Sequence, residues 1–241
     1  IDDRFSLENE SLTEEYAKLL SDMLFYPDFE NGAFKQEAVN IEKQSLKDLI
    51  ESEINEKRTY AISQCIQSMF EGSEFAVKKY GYADEVENIT AESVANAYRN
   101  IVENAAVEIV CSGSSVFNGV KKIFADIFSN TKKERAVFEK KDAPSQKNDA
   151  REVSEEMDVN QGKLVLGFRI PKLSTKREKD AVRIMTAMLG GTTFSKLFLN
   201  VREKLSLCYY CAARYDKLSS SVIVDSGIEF ENKEKAQKEI I

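Results

Sequence analysis

The chain has 241 residues, 42% of them apolar and 31% charged, with a formal net charge of −7. That composition is globular rather than disordered, and the length allows one sizeable core or two modest ones. The acidic balance and the scattered Lys and Arg argue against a nucleic-acid partner, and no apolar run is long enough to span a bilayer.

Apolar residues at Leu12, Tyr16, Leu19, Leu20 and Met23 follow helix spacing, so Ser11 to Leu24 is expected to be a helix capped by Ser11 or Thr13. Pro27 breaks it and Asn31-Gly32 turns the chain. Lys35 to Phe70 holds no Gly or Pro and repeats apolar residues at three, four and seven. It reads as one long helical stretch ended by Gly72. Thr90 to Ser93 caps the next helix, with Val94, Ala97, Tyr98 and Ile101 on its apolar side. Ala106 to Cys111 reads as a buried strand, and Val116 to Phe128 as a helix.

Ser129 to Glu155 is polar and charge-rich and contains Pro144, which makes it the expected boundary. Domains are accordingly expected at 1–138 and 156–241, with a linker at 139–155. Beyond it, Gly162 to Pro171 reads as a strand. Ala181 to Leu189 reads as a helix closed by Gly190-Gly191, and Phe194 to Val201 as a short helix. Tyr209 to Tyr215 and Ser220 to Gly227 read as a strand pair. The order implies an α+β fold with long helices packed on a mostly antiparallel sheet. With no signal-peptide pattern, a cytoplasmic location is expected. The chain starts at Ile1 without Met, and the helix opened at Lys233 stops without a cap, so it reads as a fragment.

The four cysteines do not suggest a disulfide scaffold. Cys65 and Cys111 are expected to be small buried hydrophobes. Cys208 and Cys211 fall in a strand, where an offset of three points them to opposite faces. Plain packing is expected of them rather than metal or redox use. The Glu14-Glu15 and Glu155-Glu156 pairs read as solvated faces.

The stretch Gly190-Gly191-Thr192-Thr193-Phe194-Ser195 … Arg202-Glu203-Lys204-Leu205-Ser206-Leu207-Cys208-Tyr209 resembles the second-domain signature of the insulinase/pitrilysin family of zinc peptidases. Asn31-Gly32-Ala33-Phe34 … Glu42-Lys43, Ile89-Thr90-Ala91-Glu92-Ser93 and Ala106 to Gly113 resemble successive pieces of the family's first domain. The resemblance implies a fragment running from the end of a first peptidase-like domain into a second, inactive one. It also implies that Arg202 and Tyr209 contact the main chain of a peptide substrate, with Tyr210 and Arg214 as neighbours.

Active members hold zinc through H-x-x-E-H and a downstream Glu. The chain contains no histidine, and that motif would fall upstream of Ile1. On the long helix of active members, two glutamates lie two turns apart along one face and the second is the ligand. Glu42 matches the first, and Leu49 stands seven residues on, where the ligand is expected. A leucine cannot ligate zinc and is expected to be buried with Val39, Leu46 and Ile50. No catalytic residue, metal ligand or cofactor is therefore expected in this chain, although the family uses zinc.

The resemblance then implies a non-catalytic homologue that helps bind a peptide or unfolded polypeptide, paired with a zinc-bearing paralogous subunit. Two other readings stay open. One is a zinc metalloendopeptidase whose H-x-x-E-H lies upstream, and the other is a peptide-binding scaffold without an enzymatic partner.

Overall fold

The computed structural model describes residues 3–7, 10–113, 117–129 and 150–241. They form two compact units. One comprises Ile1–Leu46 and Asp84–Lys140, the other Lys47–Ala83 and Lys141–Ile241. Residues 47–83 thus cluster with the later part of the chain. Much of the expected linker, 139–155, lies outside the described residues.

In the first unit α1 spans Leu12–Phe25, its N-terminus capped by Ser11, whose side chain accepts from the Glu14 amide. A two-residue turn joins β1 (Phe29–Glu30) to β2 (Ala33–Phe34). Asn31 and Gly32 both sit at positive φ (52° and 81°), the conformation a tight hairpin of this length requires. Phe29, Phe34 and Tyr98 pack edge-to-face, with ring centroids 4.7–5.9 Å apart. Tyr98 donates to the Leu24 carbonyl at 2.8 Å. Helix α5 (Ala91–Asn104) begins with a capping box between Thr90 and Ser93. Helix α6 (Asn118–Ser129) packs against α1, where Phe128 meets Phe25 edge-on at 5.3 Å.

The expected long helix is interrupted. Helix α2 (Gln36–Ser52) gives way to a 3₁₀ turn at Glu53–Asn55, and α3 (Lys57–Met69) starts anew after Glu56 at φ −85°, ψ 71°. No Gly or Pro marks the break. Ser52 bends its hydroxyl back onto the Leu49 carbonyl at 2.8 Å, a side-chain competitor for the helix ladder. A short helix α4 (Ala83–Val86) precedes α5.

Ala106 to Cys111 is not a strand. It runs as irregular, exposed chain, with Val110 86% exposed. An apolar run becomes a strand only when a neighbour accepts its main-chain bonds, and no described strand pairs with it. Cys111 is accordingly exposed and Cys65 half-buried, against the expectation of burial for both.

The second unit holds a three-stranded antiparallel sheet in the order β3-β5-β4: β3 (Gly162–Arg169), β4 (Cys208–Asp216) and β5 (Ser221–Ile228). All eight residues of β5 are buried, as befits the central strand. Val224 and Ile228 turn to one face and pack with Leu197, Val201, Leu207, Ala236 and Ile240. Helix α3 lies against β3 and β5. Gly167 gives it room there, because a Cβ at that position would sit 2.9 Å from the Met69 sulfur.

Helix α7 (Lys176–Thr186) opens with a capping box at Thr175 and Glu178, then widens into a π-helical turn at Ala187–Gly191. A second π-helical stretch, Phe198–Lys204, carries the chain to β4, and α8 (Lys233–Ile240) packs against it. Helices and antiparallel sheets together make this an α+β fold. No helix among the described residues is long and apolar enough to cross a membrane.

Candidate functional site

Arg202 sits in the π-helical stretch Phe198–Lys204, and Tyr209 is the second residue of β4. A tight reversal joins them. Ser206 takes φ 51°, and the amides of Ser206 and Leu207 return to the carbonyls of Arg202 and Val201 at 3.1 and 3.0 Å. That reversal runs β4 back past the helix, and Arg202 Nε donates to the Tyr209 main-chain carbonyl at 2.8 Å. The guanidinium also stacks 4.6 Å over the Phe198 ring and donates from Nη1 to Glu203 at 2.9 Å.

Arg202 and Tyr209 are thus joined through the main chain of Tyr209. The Tyr209 phenol turns elsewhere and donates to Glu229. That bond, made to a carboxylate, raises the phenol above its ordinary pKa, so Tyr209 stays a neutral donor. Tyr209 is 56% exposed. The strand that carries it forms one edge of the sheet. Edge position, an exposed phenol and an anchored guanidinium supply hydrogen-bond donors, which suit the carbonyls of an extended peptide.

Tyr210 and Arg214 turn to the opposite face of β4, where α3 packs. Arg214 donates to Asp225 at 2.8 Å, and Arg58 of α3 donates to the other carboxylate oxygen at 2.5 Å. Asp225 is completely buried. Arg58 also lies 4.4 Å over the Tyr210 ring, and Lys163 approaches the same ring at 5.6 Å. Burial and the neighbouring Arg58 lower the Lys163 pKa. The sequence reading missed this cluster, although an Asp inside the apolar run Val222-Ile223-Val224-Asp225 was a visible signal for a paired buried charge.

The cysteine pair also departs from expectation. A β-bulge between Cys208 and Tyr210 inserts one residue against β5, so Cys208 faces Ile228 and Cys211 faces Ser226. The extra residue cancels the odd offset. Both side chains join the same buried core cluster instead of opposite faces.

Glu42 is exposed on α2. Leu49 is 41% exposed, which corrects the expectation that it is packed into a core. Val39 and Ile50 lie almost in line along the helix, whereas Leu49 is rotated about 100° from Ile50 and off that stripe. The donor set does not suit the family's zinc. The chain has no histidine, leucine offers no ligand atom, and no group of three or more Cys, Asp or Glu among the described residues could hold a metal ion.

Residues 88–241 match the family described as the Peptidase M16 inactive domain. The chain belongs to this family. M16 is the insulinase/pitrilysin family that the sequence resembles. Over 225 residues the chain is 33% identical to a Bacillus subtilis (strain 168) protein named "Probable inactive metalloprotease YmfF", covering 93% of this chain and 53% of that one.

A conserved protein of Enterococcus faecalis V583 has a crystal structure that superposes over the whole chain with a TM-score of 0.86 at 25% identity, spanning 56% of that protein. A Helicobacter pylori protease shares the fold at a TM-score of 0.70 and 16% identity, over 94% of this chain and 55% of that one. This M16-family chain therefore spans about half the length of the relatives it matches.

Proposed function

We propose that this chain is part of a non-catalytic M16 homologue that binds the main chain of a peptide or unfolded polypeptide through Arg202 and Tyr209. We further propose that it works with a zinc-bearing paralogous subunit, which supplies the hydrolytic chemistry. The observation that carries this reading is the 2.8 Å bond from Arg202 Nε to the Tyr209 carbonyl, which ties the helical Arg202 to Tyr209 on the edge strand β4. The match to the Peptidase M16 inactive domain, the name of the Bacillus subtilis relative and the leucine at position 49, where active members carry a glutamate ligand, support the non-catalytic part.

On this reading Arg202 holds β4 in place and presents its remaining donors, while Glu229 holds the Tyr209 phenol as a donor until a substrate carbonyl replaces it. Neither residue transfers a proton or forms a bond.

The test is turnover of a fluorogenic peptide by the full-length protein together with its zinc-bearing paralogue. Arg202→Ala is expected to lower kcat/KM by about 10- to 100-fold, the worth of a charge-assisted hydrogen bond. Tyr209→Phe is expected to lower it by about 3- to 10-fold, the worth of a neutral one. Unchanged turnover in both variants, with the complex intact, would overturn the peptide-binding role. Stoichiometric, EDTA-removable zinc in the full-length protein alone would overturn the non-catalytic role and favour a metalloendopeptidase.

A further inference from the structure

We propose that the face of β4 carrying Arg214 selects acidic polypeptides, with Arg58, Lys163 and Arg214 taking the carboxylate of an Asp or Glu side chain of the bound segment. This selectivity rests on the peptide-binding role proposed above and adds the class of segment that the site favours.

Strand register brings the three cations together. Tyr210, Ala212 and Arg214 point to one face of β4 and stand beside Gly227, Asp225 and Ile223 of the central strand. Lys163 of β3 stands beside the same Gly227 on its other side. A Cβ at Gly227 would come 2.5 Å from Tyr210 Cε1, so the missing side chain lets the Tyr210 ring lie over the central strand. Arg58 comes from α3 onto that ring, 4.4 Å from its centroid, and Lys163 lies 5.6 Å from the same centroid.

The charges do not balance. Arg58 and Arg214 each give one nitrogen to Asp225, and Lys163 donates to a neutral partner, Gln161. Among the described residues no other carboxylate pairs with the three. Three cations against one carboxylate leave two positive charges on this face of a chain whose formal net charge is −7. The Arg58 and Arg214 side chains are 45% and 51% exposed, so their remaining N–H groups reach solvent. Burial and the Arg58 charge already work against the Lys163 ammonium, and an incoming carboxylate relieves that repulsion.

The edge position supplies the ligand. An extended segment lying along β4 past Tyr209 sends its side chains alternately to the two faces of the sheet. On the Arg214 face, a side chain beside Ala212 is flanked by Tyr210 and Arg214, and Ala212 itself offers only a methyl group. Cross-strand neighbours on one face lie about 4.5–5.5 Å apart and diagonal ones about 7–8 Å, which puts the Arg214 guanidinium within reach of a Glu. A guanidinium fork matches a carboxylate with two parallel hydrogen bonds. A basic side chain in the same place meets like charge, so the cluster discriminates by sign.

The test measures binding of fluorescein-labelled, unstructured peptides to the full-length protein by fluorescence anisotropy at low ionic strength. Two peptides differ only in carrying Glu or Gln at their central positions. The Glu peptide is expected to bind about 3- to 10-fold more tightly, the worth of one or two exposed ion pairs. Arg214→Gln keeps Arg58 as a partner for Asp225, and Lys163→Gln leaves both partners of Asp225 in place. Each is expected to bring the ratio of the two Kd values toward one. Partial unfolding weakens both peptides together and does not move that ratio, so the readout survives a poorly folded variant. Arg202→Ala is expected to weaken both peptides and keep the ratio. Equal Kd values in the unaltered protein, with Arg202→Ala still weakening both peptides, would overturn the acidic selectivity and leave the main-chain role standing. A ratio unchanged in both Arg214→Gln and Lys163→Gln would overturn the selectivity equally. Binding of neither peptide would remove the peptide-binding role, and this selectivity with it.

Discussion

Asp225 shows how much one side chain can depend on two others. It is completely buried, whereas the Arg58 and Arg214 side chains that meet it are 45% and 51% exposed. Either arginine alone can still compensate the carboxylate. Removing both leaves a buried charge without a partner, a defect that costs about 3–5 kcal/mol. Urea denaturation is expected to show Arg58→Ala and Arg214→Ala each well below that figure and the double variant above their sum. Additive single losses would mean that the carboxylate finds another partner. Leu49 moves the opposite way. At 41% exposure its truncation to Ala is expected to cost about 1 kcal/mol, not the several that a core leucine costs. A loss above about 3 kcal/mol on the same denaturation curve would return Leu49 to a packed role.

At the scale of elements, close approach and capping decide what the chain tolerates. Gly190 lies where a Cβ would come 2.5 Å from the Ala213 amide nitrogen, so the turn after α7 touches the backbone of β4 directly. Gly190→Ala is expected to destabilise by about 1–3 kcal/mol, as overpacked sites do, with a lowered Tm as the measurement. The start of α7 depends on a carboxylate. Glu178 accepts from the amides of Thr175 and Ser174 at 2.9 Å, and these bonds, with the Thr175 bond first, lower its pKa. A depressed carboxylate stabilises above its unfolded pKa, and that contribution is lost as pH falls through the folded value. The Ser174 and Thr175 amide resonances are therefore expected to stay folded-like at neutral pH and to titrate together below the usual Glu range. A midpoint at or above that range would show that the cap contributes nothing. Cys208 has its own pH signature: its alkylation should speed up as pH rises through about 7, earlier than an ordinary thiol.

For the whole molecule, the polar run from Ser129 to Glu155 is expected to be the first site of limited proteolysis, and residues 150–155 at its end are exposed. A first cut inside α2 or α3 would contradict that order. Local signals were sufficient for much of the fold. The Ser11 and Thr90 caps, the Asn31-Gly32 turn, the strand at Gly162 and the strand pair after Tyr209 all act over a few residues, and all can be read in the sequence. The M16 family was legible for the same reason, because its signature is one continuous stretch around Arg202. What the sequence could not decide depends on distant partners. Ala106 to Cys111 has the apolar pattern of a strand but no described neighbour to pair with. Leu49 matches an apolar face by spacing and still lies in the open. The helix from Lys35 to Phe70 breaks without Gly or Pro. Asp225 meets Arg58, which comes 167 residues earlier, and the cysteines share a face because the β4–β5 register shifts at a bulge. Capping and turn chemistry are local free energies, whereas burial, ion pairing and strand register are set by whatever residue the rest of the chain brings alongside.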